Sequence, residues 1–163
     1  MFRAIKLYFT DRPYYYQWKN YMKIQSGFRK KLKKLSKKFC PWSGYYMHEV
    51  VITMLEFYHK VYESGYCCWS EDQRRLHIAG QLKKALEYAD NLEHLDDLEL
   101  DEVLAIAEKD KTGFSKFISK TEKKLMAPVD EKMLGFVAYD YLEDKYTRAI
   151  YDIIGKHIWG WSD

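Results

Sequence analysis

Apolar residues recur at helical spacing along almost the whole of this chain, and little punctuates them: eight glycines and three prolines in 163 residues. Tyr14, Trp18, Tyr21, Ile24, Phe28, Leu32, Leu35 and Phe39 follow one another at steps of about 3.5, the spacing of one helix face. Alternation of apolar and polar residues, the mark of a half-buried strand, never lasts more than a few positions, and the scarcity of turn formers argues against a β-sandwich or barrel. The chain therefore reads as all-α, a helical bundle of about five to six helices forming a single domain. No internal repeat or low-complexity linker divides it.

Helix boundaries follow from caps and breakers. Asp11 as N-cap and Pro13 in the first turn open a helix over residues 12–39, with a candidate break at Ser26-Gly27. A second spans 45–63, with Met47, Val50, Val51, Met54, Tyr58 and Val61 on its expected inner face, and Ser64-Gly65 stops it. Ser70 and Gln73 have the spacing of a capping box ahead of a third helix, whose buried stripe is Ile78, Leu82, Ala85, Ala89 and Leu92, widened by Ala79 and Leu86. Residues 97–111 read as a short acidic helix packed through Val103, Leu104 and Ala107, broken at Thr112-Gly113. Residues 114–126 form the next, ending ahead of Pro128. Residues 130–158 form the last, with Leu134, Val137, Tyr141, Leu142, Tyr146, Ile150 and Ile153 inward. Phe2, Ile5, Leu7 and Phe9 fit a short helix or an edge strand equally well.

Charge is the second constraint. Residues 1–40 hold twelve of the 27 Lys and Arg and a single acid, Asp11, so the overall +3 joins a +11 arm to a −8 body, residues 41–163. Seven of the ten residues from Arg29 to Lys38 are basic, while Phe28, Leu32, Leu35 and Phe39 between them keep helical spacing. A basic amphipathic helix of this kind suits an anionic partner such as nucleic acid or a nucleotide. The candidate ligand contacts are Arg29, Lys30, Lys33, Lys34 and Lys37, with Tyr15 and Trp18 as rings for base stacking. Six of those seven bases are lysine; lysine is a point charge without the planar fork that reads base edges, so weak sequence preference is expected. Two other readings stay open. The arm pairs with the nine acids of residues 90–110, within one protomer or between two, or both surfaces are simply solvated.

Composition excludes several classes. Cys40, Cys67 and Cys68 are odd in number and lack a C-x-x-C spacing, so neither a disulfide framework nor a zinc site is expected, and a reducing cytoplasmic setting is. No apolar run nears the roughly 18–20 residues of a membrane span, and residues 1–10 are too short and too charged for a secretory signal. Glu56 and His59 match the E-x-x-H spacing of carboxylate-bridged metal sites, but no second such motif exists to complete one. No nucleophile motif or glycine-rich phosphate loop is present, so no metal, cofactor or catalytic residue is expected. Fifteen Tyr and five Trp, including the tail residues Trp159 and Trp161, exceed what one small core needs. Such rings favour interfaces, which keeps a protein partner or a homo-oligomer as the alternative.

Three stretches carry a resemblance: Trp42-Ser43-Gly44-Tyr45, Ile78-Ala79-Gly80-Gln81-Leu82-Lys83-Lys84-Ala85-Leu86, and the closing Lys156-His157-Ile158-Trp159-Gly160-Trp161-Ser162-Asp163. With the basic aromatic N-terminal portion, they resemble a group of helical proteins of tailed bacteriophages that ends in K-H-I-x-x-W-W-D; the present chain has Ser162 at the second of that Trp pair. The resemblance implies a helical fold, a phage origin and a host-cell cytoplasmic location, and it brings no activity. The resulting expectation is a non-enzymatic accessory protein that binds an anionic ligand, in a role against host defence. Its alternative is a module that occupies a host factor or builds an assembly.

Overall fold

The structure, a computed structural model, describes residues 12–37, 44–65 and 72–157. Every regular element among them is helical, and the chain is an all-α bundle. In order these are α1 (Arg12–Ser36), α2 (Gly44–Glu63), α3 (Asp72–Leu95), α4 (Leu100–Ala107), a 3-10 turn (Glu108–Asp110), α5 (Lys111–Leu125), a second 3-10 turn (Glu131–Met133) and α6 (Leu134–His157). The expected Ser70 cap, the three cysteines, Asp11, the residue 2–9 segment and the tail tryptophans lie outside the described residues. Those residues fall into two compact units. One takes in the described residues up to Leu86 together with residues 153–157; the other is Glu87–Asp152.

The first unit is built on α1, which packs along α2. Helix α1 runs without interruption through Ser26-Gly27, against the expected break. A glycine in a helix interior costs only about 1 kcal/mol, and the flanking Ile24 and Phe28 are both half-buried, holding the segment helical. Helix α2 ends as its sequence says. Gly65 takes φ 71°, a conformation that favours glycine, while the Ser64 hydroxyl donates to the Val61 carbonyl at 2.7 Å and Arg75 donates to that of Tyr62 at 2.9 Å.

The inner face of α2 differs from expectation. Met47 and Met54 are exposed, at 57 % and 38 %, while Leu55, Tyr62 and Thr53 are buried. Leu55 and Tyr62, seven positions apart, share one side, while Thr53 lies about 200° round the helix from Leu55, so α2 is buried on two sides rather than along the expected stripe. Nearly every side of α2 is apolar, which leaves the phase of its stripe undetermined until a neighbour is present. Helix α3 has only one such side, and Ile78, Ala79, Leu82 and Ala85 are buried as expected. The full burial of Leu82 contributes roughly 2 to 3 kcal/mol.

In the second unit Leu95, Val103, Ala107, Phe114, Val137, Ala138, Tyr141 and Leu142 form one core. The boundary between α4 and α5 lies earlier than Thr112-Gly113, which fall inside α5. Asp110 sets it: as N-cap, its carboxylate accepts from the Gly113 N–H at 3.1 Å. Helix α5 stops at Met126, the one non-glycine residue with positive φ (54°) among the described residues, and that side chain is 94 % exposed. A left-handed non-glycine residue carries strain of about 1 kcal/mol. Met126→Gly is expected to raise the urea midpoint by a corresponding amount, since no packing is lost; an unchanged or lower midpoint would count against a strained cap.

Candidate anion-binding helix

Helix α1 contains eight bases and no acid. Its apolar side, Tyr21, Ile24, Phe28 and Leu32 half-buried and Leu35 buried, lies toward the core. The Phe28 ring stacks on Phe57 of α2 with centroids 4.3 Å apart and planes at 23°. This fixes the rotation of α1 and turns the opposite side outward. Lys19, Lys23, Arg29, Lys30, Lys33 and Lys34 are all exposed there, and Lys37 is exposed just past the end of the helix, some 27 Å along from Lys19. Repulsion between lysines three and four apart costs a few tenths of a kcal/mol per pair. Lys33 and Lys34 sit in the last turn, where the negative end of the helix dipole offsets part of that cost.

Arg29, Lys30 and Lys33 meet around a shallow depression of about 370 Å³, shared with Met22, Gln25 and Ser26. Lys34 and Lys37 extend the same exposed side. Among the described residues no carboxylate pairs with any of these five. Lys31, outside the predicted set, is taken up: it donates to both carboxylate oxygens of Glu56 at 2.8 and 2.6 Å. Tyr15 and Trp18 are brought together, their ring centroids 6.2 Å apart, and Tyr16 packs edge-on against Tyr15 at 5.5 Å. Both predicted stacking rings are half-buried. They lie some 18 to 23 Å along the axis from Lys30, so the aromatic cluster and the lysine cluster are opposite ends of one track. Lys19 and Lys23 bridge them, and sequence reasoning missed both. Lys19 stands four before Lys23, and Lys23 seven before Lys30; this spacing is the signal that assigns both to this side.

The acidic stretch 90–110 uses several of its carboxylates inside its own unit. Asp110 accepts from Lys145 at 2.6 Å and from the Tyr141 hydroxyl at 2.7 Å, besides capping α5. Asp96 accepts from the Tyr139 hydroxyl, and Glu102 accepts from the Glu99 N–H at 3.2 Å, stabilising the start of α4. The Lys145 ammonium, then the Tyr141 hydroxyl and the Gly113 N–H, hold Asp110 well below the ordinary carboxylate range. The Asp96 carboxylate, helped by burial, pushes Tyr139 up to about 12.

A carboxyl whose pKa falls on folding stabilises the native state above its unfolded value, here 3.8. That stabilisation drains away as pH drops below this value toward the folded one. Asp110→Asn keeps the cap but removes the charge. The variant is expected to lose stability at neutral pH and to show a shallower acid-unfolding slope; a wild-type slope would assign the acid sensitivity elsewhere.

The E-x-x-H pair does not converge. Both Glu56 oxygens face Lys31, and His59 Nε2 lies 3.5 Å from Glu63. Among the described residues no three His, Cys, Asp or Glu side chains group as metal ligands, and no helix is long and apolar enough to cross a membrane. In comparisons with known proteins, no family model, curated sequence or solved structure matches this chain. The likeness to phage proteins therefore stands as an expectation.

Proposed function

We propose that this chain acts by binding rather than catalysis, and that α1 is a docking track for nucleic acid. The observation that supports this most is the one-sided distribution of charge on α1. Seven exposed cations share a surface without a carboxylate partner among the described residues, while the apolar side of the helix is consumed by packing. Lysines spaced along a rigid rod attract successive phosphates without reading bases. The Tyr15–Trp18 cluster at the N-terminal end offers rings to an unpaired base. In a phage setting, the role is to sequester nucleic acid or a nucleotide signal used in host defence.

Binding of labelled single- and double-stranded oligonucleotides tests the reading. If about six phosphates are neutralised, affinity is expected to fall roughly a thousandfold between about 50 and 200 mM salt, with little difference between sequences of equal length. No binding at the lower salt would end the proposal.

A second reading is supported by a separate observation. Leu125, Met126, Met133 and Phe136, around the turn that joins α5 to α6, are 50 %, 94 %, 42 % and 60 % exposed. Large apolar side chains clustered along one exposed segment suit a protein partner or a second copy. A mass in solution that rises with concentration, and falls to that of a monomer in Phe136→Ser, is expected on this reading.

A further inference from the structure

A groove of about 400 Å³ runs between α1 and α2, a volume within the usual range of small-ligand sites. Its composition is unlike the open surface of the track. Phe28 and Phe57, stacked on each other, supply an apolar aromatic wall, and Lys23, Lys31, Lys60 and Glu56 line the groove with them. Lys31 and Glu56 neutralise one another. Lys23 and Lys60 have no carboxylate partner among the described residues, so the groove carries two uncompensated positive charges.

Thr53 also lines it. This residue is only 3 % exposed, and its hydroxyl has no hydrogen-bond partner among the described residues. A buried hydroxyl without a partner costs about 1 to 3 kcal/mol, and a ligand atom in the groove would relieve it. Gly27 also lines the groove, and a Cβ built there meets nothing within 4 Å.

We infer that this groove binds a nucleoside monophosphate, free or as the phosphorylated end of a strand. The two unpaired lysines match the two charges of a phosphate monoester, which an ammonium attracts as a point charge. The phenylalanine wall takes the flat base, and the Thr53 hydroxyl bonds to the sugar or the base edge. Inorganic phosphate would satisfy only the lysines. The site stands apart from the polyanion track, although Lys23 borders both.

Calorimetry with adenosine 5′-monophosphate, adenosine and inorganic phosphate, each at up to about 1 mM, tests the assignment on the full chain. Binding of the monophosphate, at least roughly tenfold tighter than of either fragment, is expected. Gly27→Leu fills the groove without strain and raises helix propensity; it is expected to abolish this binding while oligonucleotide affinity at the track is retained. Thr53→Val keeps the shape and removes the hydroxyl, so it is expected to fold at least as stably and to bind several-fold more weakly. Oligonucleotides with a 5′-phosphate or a 5′-hydroxyl separate the two sources: preference for the phosphorylated end with no binding of the free nucleotide assigns the groove to strand ends. If neither the free nucleotide nor the phosphorylated end is favoured, or if Gly27→Leu binds as wild type does, the inference fails. Unchanged oligonucleotide binding on replacing Lys30, Lys33, Lys34 and Lys37 would overturn the docking track alone, since none of the four lines this groove.

Discussion

Replacement of Lys30, Lys33, Lys34 and Lys37 by glutamate is expected to abolish oligonucleotide binding by α1 while its helical content is kept. All four side chains are exposed, and none has a partner to lose among the described residues, so the fold has little stake in their sign. Glutamate is as good a helix former as lysine. Near the C-terminal end of α1 it meets the dipole unfavourably, which costs a few tenths of a kcal/mol per residue. Binding has everything at stake, because four attractions become four repulsions. The corresponding glutamine variant separates charge from shape. It is expected to bind measurably at low salt, with a slope of log affinity against log salt reduced by about 3 to 4. Unchanged affinity, or an unchanged slope, would remove α1 as the docking track. Collapse of the circular dichroism signal would show instead that these lysines hold the fold together.

Gly113→Ala is expected to destabilise the second unit by about 3 kcal/mol. A methyl group at this position would fall on the Tyr141 hydroxyl and approach the Asp110 carboxylate to 2.8 Å. Tyr141 has no room to retreat: it is 7 % exposed, with Phe114 at 5.4 Å and Phe117 at 5.5 Å between ring centroids. Moving it would break the bond to Asp110 and disturb the packing beside Lys145, whose ammonium lies 5.4 Å from the ring centre. On helix propensity alone the same substitution in an exposed helix would stabilise by about 1 kcal/mol, so the sign of the result decides between local and tertiary control. Urea unfolding measures it, and Tyr141→Phe supplies the cross-check. Without the hydroxyl the alanine has space, and the penalty of Gly113→Ala in that background is expected to shrink to less than half. A full penalty there would place the clash elsewhere.

The glycines show where sequence reading succeeds and where it stops. Gly65 was legible, because Ser64-Gly65 follows a finished apolar stripe and a left-handed residue is what ends such a helix. Gly27 and Gly113 were read as breaks by the same logic, and both lie inside helices. Nothing local separates a glycine kept for its backbone from one kept for its missing side chain. Gly113 is of the second kind, and the atoms that require it belong to Tyr141, 28 positions away.

The stripe of α3 and the inner row of α6 were legible as well, since each has one apolar side and so only one way to face a core. In α2 the same kind of evidence chose a row whose Met47 and Met54 are exposed, because the helix is buried on two sides. Of the candidate ligand contacts, the five bases were readable as a group from their helical spacing. That Lys31 would turn to Glu56 while Lys30 stayed outside depended on the rotation of α1, which the Phe28–Phe57 stack sets across 29 positions.

The order of residues by itself determined that this chain is helical, where most helices begin and end, and that its first helix is cationic throughout. These properties come from interactions within a few positions: spacing, caps and net charge. Which cations remain available to a ligand, which hydroxyl is buried without a partner among the described residues and which glycine is indispensable were decided only by the tertiary structure. Each depends on atoms that share a volume while lying dozens of residues apart, and no local pattern records which side of one helix meets which side of another.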